Sequence, residues 1–285
     1  MATADLLVIF FDPVLYQTVP YLFPQSFLDI TPVCRINFVI IYAATECSVW
    51  FTVIFSFDRF VSICCHNLKT KYCTKETAAL ALSTICILFC LKAIPRYFKF
   101  EPGEIVSTVP WFCTEKPAYY TDPGWLAFKW FDIVLTPVLP YILIVMLNAL
   151  TVRYVVVASR GRKGLRQLKH RENRNDPEME SRRRSMILLF TISGSFILLW
   201  FLYVVNFLYS NITGSNPEYY TGSLYIFSEV GVMLLVLNCC TNAFIYGVTQ
   251  SKFREQLKIL VKYPVISIMQ LINKPINWEQ TKGGS

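Results

Sequence analysis

The chain is predicted to be an all-α membrane protein with six spanning helices and one amphipathic surface helix. Three observations carry this. Of its 285 residues, 54% are hydrophobic and 16% charged, with a mean hydropathy of +0.43, a balance unlike that of an ordinary soluble domain. Six apolar stretches, roughly residues 3 to 22, 34 to 57, 77 to 95, 125 to 157, 185 to 209 and 221 to 248, are each long enough to cross a ~30 Å hydrocarbon layer as a helix. The net charge of +8 comes from Lys and Arg that gather mainly between those stretches, as in cytoplasmic loops of membrane proteins, so it does not argue for a nucleic-acid partner.

The first stretch opens at Met1, already contains Asp5, and is interrupted by Pro13 and Pro20; it reads as a helix whose beginning is missing. The second runs from Cys34 towards Arg59. Those 25 residues span about 37 Å as a helix, enough to place the two side chains on opposite faces of a bilayer. Lys69, Lys71 and Lys75 then mark a cytoplasmic connection to the third stretch. After the fourth, residues 158 to 184 contain Gly161, Gly164, Asp176 and Pro177, and eleven Lys and Arg fall between 153 and 184. This predicts a mobile cytoplasmic loop. The connection over 210 to 222 has no Lys or Arg and carries Asn211-Ile212-Thr213, an N-glycosylation acceptor that belongs on the outer side. Beyond the sixth stretch, residues 251 to 263 set Phe253, Leu257, Ile259, Leu260 and Val261 among Lys252, Arg254, Lys258 and Lys262, an amphipathic pattern suited to the lipid surface.

Seven of the ten cysteines, Cys47, Cys64, Cys65, Cys86, Cys90, Cys239 and Cys240, lie in or at the ends of apolar runs, where a thiol packs as a small hydrophobe. Cys34 and Cys113 fall at outer ends, where an oxidising compartment permits a disulfide. No CxxC pair with metal-ligand spacing and no internal repeat occurs, and no cleavable signal peptide is expected.

Taken in order, these residues resemble the rhodopsin-like, class A G-protein-coupled receptors from Asp5 to about Lys262. Cys34 and Arg59 have the spacing of that family's third helix, and Asp58-Arg59-Phe60 stands for its Asp-Arg-Tyr. Pro140 matches the fifth-helix proline, Trp200 the sixth-helix tryptophan, and Asn242-Ala243-Phe244-Ile245-Tyr246 the seventh-helix Asn-Pro-x-x-Tyr. Within the family, Leu147-Asn148-Ala149-Leu150 and Ser251-Lys252-Phe253-Arg254 are similar to orphan receptors of the peptide and amino-acid type. The resemblance implies a seven-transmembrane-helix receptor bundle lacking helix 1, with a receptor domain over 1–262 incomplete at its N-terminus and a cytoplasmic tail over 263–285. It also implies a disulfide between Cys34 and Cys113, the latter within Trp111-Phe112-Cys113.

What the resemblance implies for sites follows residue by residue. Asp58, Arg59, Phe60, Asn242 and Tyr246 correspond to the machinery that meets a heterotrimeric G protein. Where many members carry an acid restraining the arginine there is Arg182, which leaves Asp58 as the partner of Arg59 and implies a weakly restrained resting state. Asp5, Ser48, Asn238 and Asn242 match positions around a mid-membrane sodium ion; the alternative is a polar network around a protonated Asp5 without an ion. Ile41, Tyr42, Thr45, Glu46, Asp132, Trp200, Tyr203, Phe207 and Glu229 correspond to a ligand pocket open to the outside. Ionisable groups inside spans are functional candidates, so Glu46 and Asp132 predict an extracellular small molecule or peptide with a cationic or aromatic amino-acid-like character. For a ligand carboxylate, only Arg35 or Lys129 offers a cation. Ala243 and Leu202 replace family prolines, and Asn148 replaces a tyrosine that meets Tyr246 on activation.

No enzyme chemistry is expected. The two histidines, His66 and His170, lie in basic segments, and neither HExxH nor GxSxG occurs. The competing readings are a non-signalling, decoy or pseudogene-like receptor homologue and, behind it, a small-molecule transporter, which would more naturally show repeated broken helices. The expected location is the plasma membrane.

Overall fold

The computed structural model describes residues 1–65, 68, 73–166, 177–215, 220–249, 254, 255, 258 and 259, without the side chains of 159–166, 177–182, Ala243, Tyr246 and Thr249. The chain divides into two compact units, Met1–Ala243 and Phe244–Ser285. Among the described residues, six helices are long and apolar enough to cross a membrane. We label them α1 (Ala2–Leu22), α2 (Thr31–Cys64), α3 (Lys75–Lys99), α4 (from Pro123–Ile133 through Val134–Val138 to Leu139–Arg166), α5 (Pro177–Thr213) and α6 (Ser223–Thr249).

Prolines reshape these helices without ending them. Pro13, expected to interrupt α1, lies in a π-helical segment over Phe10–Thr18, and the helix resumes over Val19–Leu22 with Pro20 in its first turn. A proline has no N–H to donate, and the widened register accommodates the missing bond; Thr18 Oγ1 donates to the Pro13 carbonyl at 2.6 Å. Pro137 sits in a second π segment, Val134–Val138, inside α4. By contrast, α5 runs unbroken through Leu202, where the resemblance implies a family proline.

Side-chain capping sets two of the other starts. Thr74 accepts from the Thr77 amide at 3.2 Å to begin α3, and Asp122 accepts from Gly124 and Trp125 at 2.8 and 3.2 Å to begin α4, each satisfying orphan N–H groups. Of the expected loop over 158–184, residues 167–176 lie outside the described residues; before them the backbone is helical through Arg166, past Gly161 and Gly164, and after them it is helical from Pro177. The expected surface helix over 251–263 lies outside the described residues except for Arg254, Glu255, Lys258 and Ile259, which are helical and exposed.

The 34-residue α2 is the spine of the first unit and packs against α1, α3, α4 and α5. Val8, Val49, Val53, Ile144, Phe196 and Trp200 form one buried apolar cluster, and Ala4, Cys47, Phe51 and Phe89 a second. Leu80, Ile87, Leu88 and Leu91 of α3 stay exposed, as a helix bathed in hydrocarbon requires.

The chain has the expected all-α fold class, and its outer connection adds two short strand pairs. Phe100–Glu101 pairs antiparallel with Thr114–Glu115, and between them Glu104–Val106 pairs with Val109–Trp111. Ser107 and Thr108 make its two-residue turn with φ of 49° and 70°, the left-handed geometry that matches strand twist. Strands of two or three residues are too short to show an alternating pattern. The Cys34–Cys113 disulfide forms beneath this hairpin. Thr31 Oγ1 donates to the Phe112 carbonyl at 2.7 Å, and the Phe112 amide donates to the Asp29 carbonyl at 2.6 Å. The start of α2 is thereby tied to the hairpin at three points.

Candidate functional site

At the outer end of the first unit, α2, α3 and α4 bring four ionised side chains together. Lys92 and Arg96 are four residues apart, on one face of α3. Lys92 Nζ lies 2.9 Å from Glu46 Oε1, pairs with Asp132, and donates to Thr136 Oγ1 at 3.0 Å. Arg96 reaches the same Glu46 oxygen at 2.7 Å and Asp132 Oδ2 at 2.5 Å. Glu46 is 1% exposed, and charges in so dry a place persist only when matched. Glu46 and Asp132, predicted to offer free negative charge to a ligand, are therefore already neutralised from α3.

Sequence reasoning missed Lys92, Arg96 and Lys99. Their signal was present: basic residues at the predicted outer end of a span oppose the charge bias of the other connections, so something must hold them there. The Arg96 guanidinium lies 4.0 Å from the centre of the Tyr42 ring and Lys99 Nζ 5.6 Å from it. Lys99 pairs with Glu115 from the hairpin and lies 4.3 Å from the Tyr119 ring centre. Burial pushes the Tyr119 phenol up to about 12, against the opposing pull of Lys99.

Of the other predicted pocket residues, Ile41 and Thr45 are half-buried on α2, one turn apart. Trp200 is buried, stacks on Phe196 at 5.1 Å and meets Tyr203 edge-on at 5.5 Å; Tyr203 stacks on Phe207 at 6.0 Å. Glu229 does not join them. It is exposed on α6, because the half-buried neighbour Ser228 takes the inward position and accepts from Asn206 of α5 at 3.0 Å.

Lower in the unit, Asp5 is 1% exposed and accepts from the Ser48 hydroxyl and, at 3.3 Å, from the Asn242 amide. Asn238 is buried, and its Oδ1 has no hydrogen-bond partner among the described residues. One carboxylate with a hydroxyl and an amide oxygen is a donor set that fits a small monovalent cation. Among the described residues, no three His, Cys, Asp or Glu side chains gather as for a transition metal.

At the inner end of α2, Arg59 pairs with Asp58 at 2.7 Å, donates to Ser185 Oγ of α5 at 3.3 Å, and lies 5.4 Å from the Phe55 ring centre. Arg59 and Asp58 are each about one-third exposed (34% and 31%), so the guanidinium is held near the surface and not sealed inside. Phe60 is half-buried. The side chains of Arg182 and Tyr246 lie outside those described. Asn211 falls in the last turn of α5, not in the connection after it, and its amide donates to the Phe207 carbonyl at 2.7 Å.

A disulfide-anchored hairpin over one end of a helical bundle, a buried carboxylate network in its middle and an arginine at its other end define a membrane receptor. Residues 1–246 match the model of the 7 transmembrane receptor (rhodopsin family), and the chain belongs to that family. It is similar to purinoceptor 13 of Macaca fascicularis, 25% identical over 226 residues that cover 79% of this chain and 87% of that protein. It is a multi-pass plasma-membrane protein of a receptor family that is not enzymatic.

Proposed function

We propose that the chain binds an extracellular ligand among α2, α4 and α5 and transmits that event to a heterotrimeric G protein at the inner end of α2. The observation that carries this reading is the state of Arg59. Among the described residues its charge is met by its neighbour Asp58 and one hydroxyl of α5, Ser185, a contact that outward movement of α5 breaks at small cost. Ligand binding then works by population shift, favouring the conformation in which α5 has moved and Arg59 is free for the partner. Asp58, Phe60 and Asn242 complete the proposed coupling set.

For the ligand, Tyr42, Trp200, Tyr203 and Phe207 supply aromatic walls for a small molecule or peptide with an apolar or aromatic part. The cationic character expected from Glu46 and Asp132 has no free acid behind it. The similar receptor is named a purinoceptor, and purine compounds are accordingly tested beside aromatic amino acids. Asp5, Ser48, Asn238 and Asn242 are proposed to hold a sodium ion that supports the resting state. Asn211 is proposed as a glycosylation site, which requires its amide to leave the Phe207 carbonyl.

The test is G-protein activation in cells expressing the chain, against Arg59→Ala matched for surface level. A ligand response or basal signal that disappears in the variant supports coupling; identical signals from both overturn it.

A further inference from the structure

The outer cluster is not electrically complete. Lys92 and Arg96 share Glu46 and Asp132, and Lys99 takes Glu115. Lys129, one turn before Asp132 on the same face of α4, brings a fourth cation against those three carboxylates. It makes no ion pair among the described residues; its Nζ lies 5.2 and 4.7 Å from the ring centres of Tyr119 and Tyr120. Tyr120 spends its hydroxyl on Glu115, the carboxylate that already serves Lys99. Tyr119 packs edge-on against Trp125 at 5.5 Å, so the unmatched ammonium sits beside an aromatic wall.

We infer that Lys129, with Tyr119 and Trp125, forms a site for a small organic anion carrying an aromatic ring. This rests on the ligand-pocket reading above and reverses the ligand charge that the acidic residues alone suggested. Lys129 is half-buried and has no carboxylate within ion-pair distance among the described residues, which favours one incoming negative charge, and a lysine meets it as a point charge without demanding a planar partner. The ring of the ligand lies against Tyr119 and Trp125, where offset or edge-on aromatic contact adds affinity. A soluble aromatic carboxylate offers both the charge and the ring, and an anionic lipid headgroup reaching the outer end of α4 offers the charge alone.

The experiment measures benzoate binding to the full chain in nanodiscs by saturation-transfer NMR, with benzamide and benzylamine as neutral and cationic counterparts. Saturable binding of benzoate alone is expected. Lys129→Gln is expected to weaken it about tenfold and Lys129→Arg to retain it, the loss of one charge-assisted contact. Benzoate binding that is absent, is matched by benzamide, or survives Lys129→Gln unchanged overturns the inference. Repeating the titration in phosphatidylserine and in phosphatidylcholine nanodiscs separates the sources. Competition by phosphatidylserine assigns a lipid headgroup, and equal binding in both assigns a soluble anion. No G protein is present, so benzoate binding by a chain that fails to couple overturns only the signalling proposal. Coupling without benzoate binding overturns only the anion site.

Discussion

Replacing Glu46 by glutamine asks whether the four-charge cluster acts as one unit. The change keeps the size of the side chain and removes its charge, while Lys92 and Arg96 remain 9% and 4% exposed. Removing one member of a buried ion pair costs ~3–5 kcal/mol. Asp132 still reaches both cations, which places the expected loss near the lower end, about 3 kcal/mol, or roughly a hundredfold in the folded-to-unfolded ratio. Adding Lys92→Met removes the cation left in excess, and the double variant should regain about 2 kcal/mol, a departure from additivity expected only of residues in one network. The assay is denaturant unfolding of the four proteins in one detergent, followed by intrinsic fluorescence. A single-variant loss below about 0.5 kcal/mol, or additive effects within that margin, would refute the coupling.

Other expectations follow from the same geometry. Ser185→Ala removes the α5 contact of Arg59 and should raise basal G-protein signalling by up to about fivefold, as loss of a bond worth ~1 kcal/mol allows; an unchanged basal level argues against that contact restraining the resting state. Cys34→Ser opens a disulfide spanning 79 residues and should cost ~2–4 kcal/mol, read as lost surface expression and a lower melting temperature. Asp5→Asn should abolish any dependence of ligand affinity on sodium concentration, measured against potassium in equilibrium binding. Because burial raises the Tyr119 phenol to about 12, its neutral form is favoured in the folded chain and ionises first in the unfolded one. Stability should therefore fall as pH rises from about 10 to about 12, and difference absorbance should show one phenol resisting ionisation until the upper end of that window.

Glu46 shows how a site can be half legible. An acid inside an apolar run announces itself, since nothing else in the run resembles it, and its functional weight follows from the cost of burying charge. Its partners are 46 and 50 residues away on another helix, and no periodicity within one helix reports which face a second helix turns towards it. Asp5 and Ser48 were joined by resemblance, not by pattern, and the structure seats them together. Glu229 was placed with the pocket in the same way, and a shift of one residue along α6 separates it from the inward-facing Ser228.

Whatever depends on composition and length is readable from the chain alone. The six spans, the side on which each basic connection lies, and the distance from Cys34 to Arg59 follow from the thickness and polarity of a bilayer, which act on every segment independently. Packing settles what depends on pairs distant in the chain: that Lys92 and Arg96 cancel Glu46 and Asp132, that Lys129 makes no ion pair among the described residues, and that Ser185 of α5 meets Arg59 beside its neighbour Asp58. The physical reason is that hydrophobic burial in a membrane is nearly additive along the sequence, whereas the net charge of a site is a sum over neighbours that only packing brings within reach.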